Sequence, residues 1–205
     1  MSCGSPTTRS APPTRDPRNR SLSEQDASRS LSEQDASRSL SERSETKRDP
    51  TARVREAASA RNLDIEIRER PAARSLDEAA ALLGLTPADI VKTLVVKRSD
   101  DTYLFALIPG DRAISWPKLR AVVGVNKLQL PDPQRALEAT GYERGTIVPI
   151  GSTTAWPIFA DEAIVGRRIA MGAGAHGYSL FVDADAVIAA YGATVADISQ
   201  PLPAH

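Results

Sequence analysis

One apolar stretch that contains a single lysine decides how this chain folds: Ile90-Val91-Lys92-Thr93-Leu94-Val95-Val96. Thr86-Pro87 before it is typical of a helix start, and the β-branched residues within it favour a buried strand. An ammonium group among apolar neighbours costs free energy unless it has a partner or a chemical task. Lys92 is therefore the first candidate for a functional residue.

Two interpretations of Lys92 stay open from the spacing. The short helix that begins at Thr86-Pro87 is expected to end near Lys92, where a cation is mildly favourable and its charge can reach solvent. Alternatively, Lys92 supplies a fixed positive charge or a proton donor at the edge of a cleft.

Composition limits the classes of function. The chain has 205 residues with 26 Lys and Arg against 26 Asp and Glu, so no net charge favours nucleic acid or membrane, although a local basic patch is still compatible. Its single cysteine, Cys3, cannot form an internal disulfide. No apolar run approaches the roughly 20 residues of a membrane span, and the N-terminus lacks the apolar core of a signal peptide. We expect a cytoplasmic protein.

The first fifty residues differ from the rest of the chain. A nonapeptide that starts at Ser21 recurs unchanged at Ser30, and a truncated third copy begins at Ser39. In a helix, this period would put successive leucines on opposite faces, so the repeat offers no apolar stripe. We predict a disordered tail over residues 1–50 and one globular domain over residues 51–205. The repeat is either a product of replication slippage or a mis-assigned start, or it is a tethering or phosphorylated segment.

Hydrophobic patterning predicts helices and strands in irregular order within the globular part. Helices are expected at 50–61, 75–83, 115–123, 132–141 and 183–190. Strands are expected near 63–67, 93–97, 103–108, 127–130, 158–160, 168–171, 178–182 and 194–198, with a hairpin turn at Ser99-Asp100-Asp101. This order predicts the α+β class, with a curved, barrel-like mixed sheet flanked by helices.

Several kinds of catalytic site have no basis in the sequence. Beyond the first fifty residues there is no cysteine, the only histidines are His176 and His205, and no zinc-ligand spacing occurs. The Gly-x-Ser-x-Gly elbow and the Gly-x-x-x-x-Gly-Lys phosphate loop are also absent. We expect neither a metal nor a cofactor.

Two glycine-containing segments remain as candidates beside Lys92. They are Gly145-Thr146-Ile147-Val148-Pro149 and Gly172-Ala173-Gly174-Ala175-His176-Gly177. Each is compatible with a tight structural turn. Each is also compatible with a loop whose backbone N–H groups approach a substrate oxygen, because glycine has no Cβ to prevent that approach. His176 is either a solvent-facing structural residue or a catalytic one.

Taken in order, these motifs resemble a known family. The stretch around Lys92 is followed by Leu130-Pro-Asp-Pro133, Thr140-Gly141-Tyr142 and Gly145-x-x-x-Pro149-x-Gly151. The set is completed by Pro157-Ile-Phe-Ala-Asp161, Gly172-x-Gly174-x-x-Gly177 and Val195-Ala-Asp-Ile198. From about residue 63 to residue 199, the chain is similar to the YbaK-type, prolyl-tRNA-editing-like aminoacyl-tRNA deacylases.

The resemblance implies that the chain hydrolyses a mischarged amino acid from the 3′ end of tRNA, with Cys-tRNA(Pro) or a related substrate. It implies that tRNA is the partner, that no metal takes part, and that the chain acts in trans to an aminoacyl-tRNA synthetase. Lys92 matches the essential lysine of the family. The substrate-binding residues that the resemblance implies are Gly145, Thr146, Pro149, Gly172, Gly174, His176 and Gly177.

Some positions depart from the cysteine-removing members of that family. Ser75 stands where they have an aromatic residue, Ala175-His176 where they have a basic pair, and Ser179 lies near the place of an acidic residue. The amino acid that is removed therefore stays open. So do two rival functions: a non-catalytic module of the same fold that binds tRNA, a synthetase or an aminoacyl-like ligand, and a hydrolase for another activated ester.

Deletion of residues 1–49 is expected to leave the folding of the rest of the chain unchanged, because that segment has too few apolar residues to contribute to a core. Thermal denaturation of the full and truncated chains checks this. A large drop in melting temperature on truncation would show that the segment packs on the domain.

Overall fold

The computed structural model describes residues 50–71 and 73–202. The repeat segment, Cys3 and His205 lie outside the described residues. In this part of the chain there are five α-helices: α1 Pro50–Ser59, α2 Leu76–Leu83, α3 Trp116–Val123, α4 Pro133–Thr140 and α5 Ala184–Tyr191. Single 3₁₀ turns occur at Pro87–Asp89 and Glu162–Ile164. No helix in the described ranges is long and apolar enough to cross a membrane.

The strands alternate irregularly with these helices. In chain order they are β1 Ile65–Glu69, β2 Val91–Arg98, β3 Tyr103–Pro109, β4 Arg112–Ile114, β5 Leu128–Gln129, β6 Ile158–Asp161, β7 Arg168–Gly172, β8 Tyr178–Asp183, β9 Thr194–Ala196 and β10 Ser199–Pro201. The largest sheet has the order β5-β2-β3-β6-β9, in which β2 is antiparallel to β5 and β3, whereas β6 and β9 join in parallel. A second sheet has the antiparallel order β1-β8-β7, and a third pairs β4 with β10.

The α+β class is confirmed, but the barrel-like closure that we expected is wrong for the described residues. The strands divide among three open sheets, and none closes into a barrel. In the described residues, strand-like backbone pairing links the start of β2 to the β1-β8-β7 sheet at only one isolated bridge, between Ile90, just before β2, and Ala170 of β7. Because a barrel needs a continuous ladder of strand pairs around its circumference, a single bridge cannot close one.

The core is built around the β2–β3 hairpin. In β3 every residue from Leu104 to Ile108 is at most 1% exposed, so both faces of the sheet are covered. One apolar cluster contains Val91 and Val95 from β2, and the other contains Val96 and Ile108. Continuous burial of this kind explains why β3 reads as an unbroken apolar run rather than an alternating one.

Local capping signals set the bounds of the helices as the sequence predicts. Ser75 Oγ accepts a hydrogen bond from the Glu78 amide at 3.1 Å and starts α2, and Asp132 does the same for α4 through the Arg135 amide. Gly84 ends α2 in the left-handed conformation, with φ +68°. The strands β4 and β10 were not predicted, since each has only three residues and shows no periodicity.

Asp161→Asn is expected to destabilise the fold by about 1–3 kcal/mol, because Asp161 is buried and each carboxylate oxygen accepts a different backbone N–H. Its partners are the amides of Ala163 and Ile198, both at 3.1 Å. An asparagine would turn a donor toward one of them. Chemical denaturation measures the cost, with exposed Asp64→Asn as the control. Equal stability of the two variants would contradict this role.

Candidate active site

Lys92 lies inside strand β2, where it is paired opposite Ile108 of β3. The interpretation that it ends a helix is wrong, because the preceding 3₁₀ turn already stops at Asp89. A single turn with proline at its start gives way at once to a β-branched run, and that run prefers the extended conformation. Lys92 is therefore held by a sheet rather than by a fraying helix end.

Two backbone carbonyls fix the ammonium group of Lys92. Its Nζ donates to the oxygen of Gly110, in the turn between β3 and β4, at 3.0 Å, and to the oxygen of Arg112, the first residue of β4. An ammonium has three N–H donors, so one remains for a ligand. No third acceptor is found for Nζ among residues 50–71 and 73–202.

Gly110 has no side chain for a clear physical reason. A Cβ there would lie 2.4 Å from the Pro87 carbonyl oxygen and 2.5 Å from Leu76 Cδ2. The turn at Gly110, whose carbonyl accepts from Lys92, therefore packs tightly against the 3₁₀ turn and α2. Any larger residue at position 110 would displace this turn. The geometry of the lysine depends on this close approach.

Strand β10 also stabilises this region through its contacts with β4, which directly follows the turn. It pairs with β4, and Arg112 Nε donates to the hydroxyl of Ser199, which is completely buried. Lys118 adds a bond to the Ser199 carbonyl at 2.9 Å and an ion pair with Asp197. The carbonyl of Arg112 is therefore held in place by contacts that lie far from Lys92 in sequence.

Burial of Lys92 lowers its pKa from the ordinary lysine value, since removing the ammonium from water disfavours its charged form. The negative charge of Asp111 opposes this effect and raises the pKa. The two carbonyl acceptors also favour the ammonium. The residue therefore provides a positioned charge at a partly desolvated place.

The two glycine segments pack directly on each other. The Gly174 amide donates to the Thr146 carbonyl oxygen at 2.9 Å. A Cβ on Gly172 would lie 2.5 Å from that same oxygen and 2.6 Å from the oxygen of Ile147. The absence of a side chain at 172 therefore permits the contact between the two loops.

A cavity of about 590 Å³ lies between these elements. One of its walls comes from α2, through Leu76, Ala79 and Leu83. The others come from β2, the ends of the β7 and β8 strands, and the segments around Pro131 and Gly145. The lining combines a largely apolar wall with a few polar and cationic groups, as in most small-ligand sites.

The structure brings together only part of the predicted site. Lys92, Gly145 and Gly172 all line the cavity. Thr146, Pro149 and Gly174 are buried and do not line it, and the Thr146 hydroxyl donates to the Glu143 carbonyl at 2.8 Å. His176 and Gly177 are exposed and do not line it. Of the predicted residues in the two glycine segments, only Gly145 and Gly172, which have no side chains, line the cavity.

His176 contacts the neighbouring loop rather than the cavity. Its Nε2 lies 3.2 Å from Glu143 Oε2, and both side chains are mostly exposed. Its Cε1 lies 3.7 Å from the position that a Cβ on Gly145 would take. Among the departures from the family pattern, Ser75 is the exposed cap of α2, and only Ser179 lines the cavity.

Several lining residues were missed from the sequence. Thr93 follows the lysine, and its Oγ1 is buried without a hydrogen-bond partner in the described part of the chain. Arg70 and Arg144 also line the cavity, whereas Ser179, which lines it too, was already noted in the sequence as a departure from the family pattern. For Thr93 and Arg144 the available signal was adjacency to Lys92 and Gly145, whereas nothing in the sequence places Arg70 near either.

The described residues contain no group of three or more His, Cys, Asp or Glu side chains that could hold a metal ion.

The chain is similar to proteins of known family over most of its described residues. Residues 70–190, more than half of the chain, match the family described as the aminoacyl-tRNA editing domain. The proline–tRNA ligase of Thermosipho melanesiensis is 35% identical over 99 residues, which are 48% of this chain and 17% of the ligase. That of Shouchella clausii is 36% identical over 115 residues, 56% of this chain and 20% of the ligase. The chain thus corresponds to less than a quarter of the length of these relatives.

One solved structure is similar to this chain over most of the length of both proteins. It is described as that of a candidate trans-editing enzyme for prolyl tRNA synthetase. It is 27% identical, with a TM-score of 0.68, and the match covers 74% of this chain and 97% of that one.

The titration midpoint of the Lys92 ammonium is expected to lie below the ordinary value of 10.5. Because the folded-state pKa is lower than the unfolded one, the charged lysine opposes folding, and this cost is relieved as the pH rises through the folded pKa. NMR of the lysine Cε resonance measures the midpoint, and Lys92→Met identifies the signal by its loss. A midpoint at or above 10.5 would show that the ammonium is not desolvated.

Proposed function

We propose a specific activity for this chain, which belongs to the aminoacyl-tRNA editing domain family: hydrolysis of the ester that joins a mischarged amino acid to the 3′ end of tRNA. The observation that supports this most is one cavity that Lys92, Gly145 and Gly172 line together. Two carbonyl partners hold the Lys92 ammonium, and Gly145 is exposed; both observations support the proposal.

The chemistry needs little from the side chains, since an aminoacyl ester is already activated. Water adds to the ester carbonyl carbon, the bond to the ribose oxygen breaks, and the ribose hydroxyl leaves with a proton as the free amino acid departs. Backbone N–H groups of the Gly145 loop stabilise the oxyanion that develops. This division of work fits a lining that has no cysteine, histidine or carboxylate among the described residues.

Lys92 acts in this scheme as a positioned charge rather than as a general base. Two carbonyl acceptors hold its ammonium, and a base would have to exist in the neutral form at the working pH. The remaining N–H binds a ribose or phosphate oxygen of the tRNA end. Thr93, which follows Lys92 on the same strand, also lines the cavity, but its unpartnered hydroxyl is buried.

The substrate is proposed to be Cys-tRNA(Pro) or a related mischarged tRNA, because the relatives include proline–tRNA ligases. The trans mode is supported by the likeness to the solved structure described above, since the match covers nearly the whole of that solved chain. An aminoacyl-tRNA synthetase is a second candidate partner. We expect the reaction to take place in the cytoplasm, where tRNA is charged.

The second candidate function is a non-catalytic module that binds tRNA, a synthetase or an aminoacyl-like ligand in the same cavity. One observation favours it: the cavity-lining residues in the described ranges include no histidine, cysteine or carboxylate, the groups that most often serve as base or nucleophile. Binding of tRNA without turnover is the result that this alternative predicts.

Single-turnover deacylation of a panel of mischarged tRNAs tests the proposal. The wild type is expected to clear at least one of them, and Lys92→Ala to slow that reaction by roughly 10²-fold or more, the scale of losing one preorganised electrostatic contact. Lys92→Arg keeps the charge but changes the donor geometry, and it should fall between the two. The control is Lys127→Ala, since Lys127 is exposed and outside the cavity lining.

Two results would contradict this proposal. Failure of the wild type to clear any tRNA of a broad panel would reject the enzyme. A Lys92→Ala variant that matches the wild-type rate and melting temperature would reject the role of the lysine.

A further inference from the structure

The structure assigns Arg70 and Arg144 a role beyond the ester chemistry: we propose that they bind phosphodiester groups of the tRNA 3′ end. This inference rests on the proposed function, since it identifies the part of the same substrate that lies beyond the reacting ester. It concerns a polyanionic ligand beside the cavity that Lys92 lines.

The charge of the cavity lining is the first observation. Three cationic residues line it, namely Arg70, Lys92 and Arg144. No Asp or Glu of the described ranges is among the lining residues. A concave site with one sign of charge concentrates ligands of the opposite sign. The whole chain has no net charge, so this asymmetry is local to the cavity.

The pairing of the arginines is the second observation. Elsewhere in the described ranges, some basic residues pair with carboxylates and others, such as exposed Arg55, do not; the paired ones are Arg68, Lys97, Arg98, Lys118, Arg135, Arg167 and Arg168. Neither Arg70 nor Arg144 has such a partner in that part of the chain. Their guanidinium groups are therefore not neutralised within the fold and are available to an external anion.

Arg70 is also held in a defined position. Its amide donates to the Gly177 carbonyl at 2.7 Å, and its Nε donates to the hydroxyl of buried Ser179 at 3.2 Å. The Nε bond fixes the side chain and leaves the terminal nitrogens unused. Those nitrogens present paired donors, which is the geometry that binds two oxygens of one phosphate.

Arg144 is placed by the loop that approaches the ester. It lies inside the turn closed by the hydrogen bond from the Thr146 amide to the Glu143 carbonyl, and it directly precedes Gly145. The nearest acid in sequence, Glu143, has its carboxylate against His176 and does not line the cavity. Arg144 is exposed, so it can reach a phosphate while Gly145 contacts the aminoacyl end.

The chemistry of the ligand could come from two sources, because a guanidinium binds any oxyanion with two free oxygens. One is a phosphodiester of the tRNA, and the other is a side-chain carboxylate of the mischarged amino acid. The phosphodiester is favoured because the α2 wall of the cavity is apolar, with Leu76, Ala79 and Leu83, and suits a base or an apolar side chain. A phosphate then accounts for the two arginines.

Binding of uncharged tRNA, followed by fluorescence anisotropy at increasing KCl, tests the inference without relying on catalysis. Arg70→Gln and Arg144→Gln are each expected to weaken binding and to reduce the slope of log K against log[salt] by about 0.7, the value for one single-strand phosphate contact. Arg55→Gln is the matched control, since Arg55 is exposed on α1 and outside the cavity lining. An unchanged slope in both variants, with an unchanged melting temperature, would overturn the inference.

A second arm distinguishes the two sources of the anion. Hydrolysis rates are compared for a mischarged tRNA and for the same amino acid esterified to adenosine, which carries no phosphate. For both variants the tRNA-to-adenosine rate ratio is expected to fall roughly tenfold or more relative to the wild type, the scale of a charged hydrogen bond. Equal losses on both substrates would overturn the phosphate assignment and point to the aminoacyl group. If the wild type hydrolyses neither substrate, the proposed function fails, and the salt dependence of tRNA binding still decides the role of the arginines.

Discussion

The contact between the Lys92 ammonium and the carbonyl oxygens of Gly110 and Arg112 is the constraint on which the rest of the site depends. A lysine in a buried strand is tolerated because these acceptors replace water around its charge. The requirement reaches outward through the fold. Gly110 must lack a side chain for its turn to approach Pro87, and the turn is braced by the pairing of β4 with β10. The family match covers residues 70–190, so β10 lies outside it yet pairs with β4, which carries one carbonyl acceptor of Lys92.

The second constraint is the close packing of the two glycine loops, whose Gly145 and Gly172 line the same cavity as Lys92. Gly174 donates its amide to the Thr146 carbonyl, and Gly172 lies so close to the same carbonyl that a side chain would not fit, so the backbones of the two loops pack directly on each other. Gly145, at φ +90°, then faces the cavity from the same surface. Site formation therefore relies on backbone approach more than on reactive side chains. Such a site is consistent with the proposed hydrolysis of an activated ester, for which placement and electrostatic stabilisation supply most of the catalysis.

Most helices and strands could be predicted from the sequence because their signals are local. Ser75, Asp132 and Gly84 cap helices through contacts within a few residues, and the β2–β3 hairpin follows from two apolar runs and a short turn. The candidate site was predicted in part for a different reason, namely the ordered motifs around Lys92, Gly145 and Gly172. The features that the sequence did not predict correctly depend on contacts between segments that are distant in the chain. The acceptors of Lys92, the brace by Ser199, the position of Arg70 and the absence of barrel closure all depend on pairing between distant segments, which leaves no periodicity in the sequence.

The central claim is that Lys92 and the Gly145 loop face the same ligand. A crystal structure of the chain with a non-hydrolysable amide analogue of 3′-aminoacyl adenosine tests it most directly. The analogue is expected to occupy the cavity, with its carbonyl oxygen about 3 Å from a backbone amide of the Gly145 loop and one of its oxygens at a similar distance from Lys92 Nζ. An analogue bound outside the cavity, or one that leaves Lys92 with only its two carbonyl partners, would show that the lysine and the loop do not bind one ligand.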